Sequence, residues 1–168
     1  THISAATASL VWMFTEWVKF GKPTLIGTVT GTIAGLATIT PASGYVGPIG
    51  GFVIGIAAGF ICFYAVQVVK QRFKIDDSLD VFAVHGVGGI LGILMVSFLA
   101  DESFGGGGLA EGVSILDALQ VQIIGLVAVV VWSVVASAII LKGVSALVGL
   151  RVSAQDEVEG LDITAHGE

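Results

Sequence analysis

The sequence predicts an all-α protein, a polytopic membrane helix bundle with five transmembrane helices. Three observations predict it. Apolar residues are 55% of the chain and charged residues only 12%, with a mean hydropathy of +0.97, whereas an ordinary soluble domain carries about 25% charged residues. The apolar residues are gathered into long blocks, as helices of about 20 residues must be to cross a hydrocarbon core of about 30 Å. Glycine, 24 of 168 residues, recurs at four-residue spacing inside those blocks.

The elements follow in order. Residues 3–18 form the first expected span, short and interrupted by Glu16; residues 24–40 form a second short one. Both read as tilted spans or spans packed inside a bundle. Residues 45–69 form an uninterrupted apolar block, and residues 79–100 another that contains only Asp80 and His85 as ionisable groups. The last block, residues 115–150, would be about 54 Å long at ~1.5 Å per residue. That length requires strong tilt, a kink near Gly125 or Gly143, or extension beyond the bilayer. Residues 1–150 are thus the transmembrane bundle and residues 151–168 an acidic, polar tail, which composition reads equally as a solvated segment that docks on a partner or on the cytoplasmic loops or as a disordered stub without a role.

Orientation follows from the seven Lys and Arg residues. With five alternating spans, Lys19, Lys22, Lys70, Arg72, Lys74, Lys142 and Arg151 all fall on one side. The loop from Asp101 to Asp117 on the other side carries four carboxylates and no Lys or Arg. Basic short loops mark the cytoplasmic face, so the beginning of the chain is expected outside and the tail inside. The glycines add packing. Gly27, Gly31 and Gly35 share one helix face, as do Gly47, Gly51, Gly55 and Gly59, and such faces let backbones approach closely in lipid. The Gly-rich stretch 103–109 reads as flexible linker and is given no chemistry.

One residue stands out chemically. His85 lies within the fourth block, flanked by Gly86, Gly88, Gly89 and Gly92. An ionisable side chain inside a span costs free energy and marks a partner, a pathway or a cavity; a satisfied structural histidine is the alternative. Burial disfavours the charged imidazole and would lower its pKa below about 6.5. Val81, four residues earlier, shares its face and would present an apolar wall. Asp76 and Asp77 suit a helix N-terminus. Asp80 lies deeper and is expected to be a buried hydrogen-bonding group that holds the helix in place. Glu16 and Lys19, three residues apart, are expected to pair. His2 and His166 read as surface residues. Cys62 stands alone, so no disulfide or thiolate metal site is expected, and no P-loop occurs.

The run DDSLDVFAVHGVGG, residues 76–89, resembles the signature of the tenth helix of the ammonium transporter family (Amt/Mep, related to Rhesus proteins). The opening THISAATASLVWMFTEWVKFGKPT is similar to that family's seventh helix and following loop, ATITPASGYVGPIGG to its eighth-to-ninth turn, and LRVSAQDEVEGLDITAHGE to its cytoplasmic tail. The resemblance covers essentially the whole chain. It implies the C-terminal part of an inverted-repeat fold of about eleven spans, with the N-terminal half missing.

It also implies an ammonium/ammonia transporter that is not an enzyme. Ammonium would be deprotonated and ammonia conducted past a histidine pair, of which His85 is one member. Ile33 and Val81 would line the pore, and Asp77 and Asp80 would be structural carboxylates of the pore helix. Arg151, Glu159, Gly160, Leu161 and Asp162 would form a regulatory tail that receives a nitrogen regulatory protein of the PII type. A homotrimer in the inner (plasma) membrane is implied, with no cofactor, metal or nucleic-acid partner. The alternative reading is a non-conducting structural or ammonium-sensing membrane subunit.

Overall fold

In the computed structural model, which describes residues 1–167, every regular element is helical. The order is α1 (His2–Phe20), α2 (Leu25–Ile39), α3 (Pro48–Gln67), α4 (Val87–Leu99), α5 (Ile115–Leu147) and α6 (Ala154–Glu159), with short 3₁₀ and π turns at several ends. The chain divides into two compact units, residues 1–126 and 127–168, and the 33-residue α5 runs through their boundary.

Among the described residues, four segments are long and apolar enough to cross a membrane: Leu25–Ala42, Pro48–Arg72, Phe82–Leu99 and Ile115–Leu147. Helix α1, expected as a fifth span, is 19 residues long but falls short in apolarity. His2, Glu16 and Lys19 lower its average. Helix α5 passes through Gly125 and Gly143 without interruption and stops at Leu147, and none of its residues is buried.

The first unit is organised around α1. The stripe Ser4–Ala8–Trp12–Glu16 faces the glycine stripe of α2 in antiparallel order. A Cβ on Gly35 would lie 2.5 Å from the Ser4 carbonyl, one on Gly31 3.0 Å from the Ala8 carbonyl, and one on Gly27 would overlap the Glu16 carboxylate. The glycines of α3 meet the same two carbonyls from another side, in parallel order. A Cβ on Gly55 would lie 2.7 Å from Ser4 O, and one on Gly59 2.7 Å from Ala8 O. Only a hydrogen in place of Cβ allows this approach, which supports close dispersion contact and Cα–H···O interactions. Ser4 Oγ also donates to Gly35 O at 2.9 Å.

Helix α4 docks on the end of α2 in the same manner. Gly88 faces the Thr38 hydroxyl, and a side chain on Gly92 would overlap the Thr38 carbonyl. Two apolar clusters fill the remaining space. One joins Trp12, Ala34, Cys62, Phe63, Val66, Val69, Ala83 and Val84; the other joins Ile39, Ala42, Ile54, Val96, Leu99 and Ala100. The edge of Trp12 meets Phe63 at a centroid distance of 5.3 Å, a geometry the aromatic quadrupole favours.

The stretch 103–109 is a packed loop rather than a flexible linker. Asp101 caps a 3₁₀ turn at Glu102–Phe104. Gly107 N–H donates to Tyr45 O at 3.1 Å and Gly108 N–H to Ala100 O at 2.9 Å. A Cβ on Gly47 would overlap the Gly105 carbonyl. Its glycines serve close approach and, at Gly105 (φ 73°) and Gly108 (φ 82°), left-handed backbone.

Candidate functional site: the turn that carries His85

Helix α3 ends in a π turn, Val68–Arg72, and the chain then crosses to the helix carrying His85. On this connection Lys74 (φ 54°) and Asp80 (φ 57°) adopt left-handed backbone, uncommon for residues with a side chain but tolerated best by Asn and Asp. Residues 82–86 form a second π turn, Phe82–Gly86, which runs into α4. Single π turns within helices are rare and concentrate at functional sites.

The start of this helix is closed by two aspartates. Asp77 accepts Val81 N–H through Oδ1 and Phe82 N–H through Oδ2, each at 2.9 Å. Asp80 accepts Val84 N–H through its carbonyl at 2.8 Å. Asp76 makes no such bond, so of the two expected caps Asp77 alone takes the role. The Asp80 carboxylate, whose Oδ1 is almost shut off from solvent, takes an ion pair in place of the expected hydrogen bonds. It sits at the mouth of the helix, and its Oδ1 forms an ion pair with Lys70 Nζ at 2.7 Å. The carboxylate side chain is 17% exposed and the ammonium side chain 39%.

Ala83 and Val84 are buried against Val66 and Val69 of the α3 end. Their neighbour His85 therefore points away from that core. It is exposed, and its imidazole has no hydrogen-bond partner among the described residues. The burial expected of it is not supplied by this chain. Val81 is 53% exposed and Ile33 40%, and none of the three lines any of four pockets in the first unit. Each of the three is exposed on its own element.

The expected Glu16–Lys19 pair does not form. Glu16 is buried and accepts from Thr24 N–H at 2.7 Å, from the Thr24 hydroxyl at 3.1 and 3.2 Å, and from the Trp12 indole at 3.4 Å. Lys19 instead lies over the Tyr64, Phe63 and Phe20 rings, at 4.9, 5.3 and 5.7 Å from their centroids. A carboxylate gains more from donors at the start of α2 than from a flexible ammonium, which is more readily satisfied by water and aromatic faces. Lys70 and Thr24 are the partners that sequence reasoning missed. Lys70 is one of three cations, with Arg72 and Lys74, on the short stretch before Asp80, and composition does not single it out.

In the second unit, Ser153 caps α6 by accepting Asp156 N–H at 3.1 Å. Arg151 grips Glu157 through Nε and Nη2, both at 2.8 Å. Glu159 closes α6, Gly160 adopts φ 100°, and Leu161 precedes a π turn that starts at Asp162. Glu168, which belongs to the expected tail, lies outside the described residues.

Residues 1–168 match the sequence model of the Ammonium Transporter Family along their full length. The chain belongs to this family. It is 44% identical over 169 residues to the ammonium transporter of Aquifex aeolicus, covering 100% of this chain and 39% of that protein. It is likewise 44% identical over 169 residues to ammonium transporter Amt1 of Archaeoglobus fulgidus, covering all of this chain and 42% of the relative. Among solved structures it is similar to Saccharomyces cerevisiae Mep2, with TM-score 0.75 and 31% identity over 88% of this chain and 36% of that one. It is also similar to a structure described as a sensor Amt protein, with TM-score 0.86 and 29% identity over 97% of this chain and 40% of that one. As a member of the Ammonium Transporter Family, the chain spans about two fifths of the length of the curated relatives it matches.

Proposed function

We propose that this chain is the C-terminal part of an ammonium transporter, corresponding to about the seventh to eleventh spans and the tail, and that it contributes one wall of the conduction path. The observation that carries the reading is His85. Its imidazole stands exposed and unpartnered on a turn that is otherwise anchored on both sides, in a chain that matches the family throughout. The missing N-terminal half supplies the opposing wall and a second histidine. Covered by that half, a neutral His85 accepts or shares a proton while Val81 and Ile33 keep the path apolar. A hydrated cation is costly to move through such a path and neutral ammonia is not. Ammonium is deprotonated at the outer end and ammonia passes.

Asp77 and Asp80 act as structural carboxylates at the cytoplasmic start of the pore helix. The beginning of this chain faces outward and the tail lies in the cytoplasm of a cell whose inner membrane it spans. There Arg151, Glu159, Gly160, Leu161 and Asp162 belong to the segment that a PII-type regulatory protein recognises on a homotrimer. The test is ammonium uptake by the complete transporter bearing His85→Asp. The expected outcome is loss of uptake with normal amounts of folded protein in the membrane; undiminished uptake defeats the reading.

A second reading, ammonium sensing without conduction, draws on the likeness to the structure described as a sensor Amt protein. Binding of ammonium by a complete wild-type protein that takes none up would favour it.

A further inference from the structure

We propose that Lys70 and Asp80 are a positioning pair for His85, holding the π turn that carries the imidazole in register against the end of α3. Three observations converge. Lys70 belongs to the π turn Val68–Arg72 and Asp80 directly precedes the helix containing the π turn Phe82–Gly86, so the 2.7 Å ion pair ties two non-α turns together. The same two turns share an apolar contact, Val69 with Ala83 and Val84 in one cluster, immediately before His85. Asp80 holds left-handed backbone, φ 57°, while its carbonyl receives the first hydrogen bond of the His85 turn, from Val84 N–H.

A π turn holds one residue more than an α turn, so its conversion would rotate everything on one side of it by about 100° about the helix axis. Asp77 fixes only the first two donors, Val81 and Phe82, and would survive such a conversion. The ion pair and the apolar cluster of Val66 and Val69 with Ala83 and Val84 reach across from the end of α3. Asp80 Oδ1 has almost no solvent contact and no partner other than the Lys70 ammonium among the described residues. Removing the cation therefore strands a carboxylate oxygen, whereas removing both charges does not.

The transport consequence rests on the function proposed above; the positioning itself does not. The complete transporter is prepared with Asp80→Asn, which keeps a residue tolerant of left-handed backbone, with Lys70→Met, and with both together. Amide hydrogen exchange is followed at residues 82–86. Expected are exchange about tenfold faster in Lys70→Met, a smaller increase in Asp80→Asn, and a double variant closer to wild type than Lys70→Met alone. In uptake, Lys70→Met is expected to lower the maximal rate at least tenfold with little change in the half-saturating concentration, since His85 is displaced while the outer approach is intact. Unchanged exchange at residues 82–86 in Lys70→Met overturns the proposal, as does a double variant as perturbed as the sum of the singles. Altered exchange in a protein whose wild type transports nothing sustains the positioning role and removes the transport reading instead.

Discussion

Replacing Gly35 by alanine tests the claim that α1 is held by two glycine faces. The new Cβ would lie 2.5 Å from the Ser4 carbonyl, 2.8 Å from Ala8 Cβ and 2.9 Å from Ala5 Cα. A carbon rests against a carbonyl oxygen at roughly 3.3 Å or more, so α1 and α2 must separate locally by about 0.8 Å. None of the three neighbours is the free end of a flexible side chain. Overpacking of this kind costs about 1–3 kcal/mol, and alanine returns up to about 1 kcal/mol of helix propensity. The net loss is about 1–2 kcal/mol, or a melting midpoint lower by roughly 2–8 °C for a chain of this size. The control is Gly125→Ala in α5, where the added carbon meets nothing within 4 Å and propensity alone acts, giving no loss or a small gain. Thermal unfolding of the two variants in the same detergent is the assay. A Gly35→Ala midpoint at or above that of wild type would refute the close-approach argument.

Glu16→Ala removes the acceptor for Thr24 N–H and the Trp12 indole and is expected to cost about 1–3 kcal/mol in thermal unfolding. A Glu16/Lys19 double-mutant cycle should show coupling below about 0.5 kcal/mol, and a larger value would restore the ion pair that the structure lacks. Thr24→Ala should cost about 1 kcal/mol through loss of the 2.9 Å cap on Gly27 N–H, with Thr24→Ser recovering most of it. Gly47→Ala should accelerate amide exchange at Gly107, whose bond to Tyr45 depends on the loop lying against Gly47; an unaltered rate would mean the loop does not need that contact. The Ser103 hydroxyl and backbone amide hold the Asp101 carboxyl below its ordinary value of 3.8. Its contribution to the loop is thus complete above that value and disappears as pH falls through the lowered folded pKa. A Ser103 amide resonance that titrates above the ordinary value would contradict the sign.

The architecture was legible because its signal is local. Apolar blocks of membrane length and glycines at four-residue spacing each describe one helix and need no partner. The signature around His85 was equally legible, and so was Asp77 as a cap, since a cap is decided within a few residues of its helix. The partner of Asp80 was not legible because the helix starts at Val81 and not at Leu79. Two residues of difference move that carboxylate from inside a span to its mouth, where Lys70 reaches it. Glu16 was misread for a related reason. Spacing on α1 offered Lys19, while the corner at Thr24 presented an unsatisfied backbone N–H that no periodicity within α1 reveals. The loop 103–109 looked like linker because composition does not distinguish glycine used for freedom from glycine used for contact.

From the sequence alone came the helical class, the membrane-length blocks, the family resemblance and the singular position of His85. All of these are properties of one residue, one helix or one contiguous motif. Tertiary structure alone decided that the glycines of α2 and α3 converge on the same two carbonyls of α1, that Glu16 serves the start of α2, and that Lys70 is tied to Asp80. The reason is physical: each is a meeting of residues from different elements. Crossing geometry and side-chain reach select among partners that periodicity leaves equivalent.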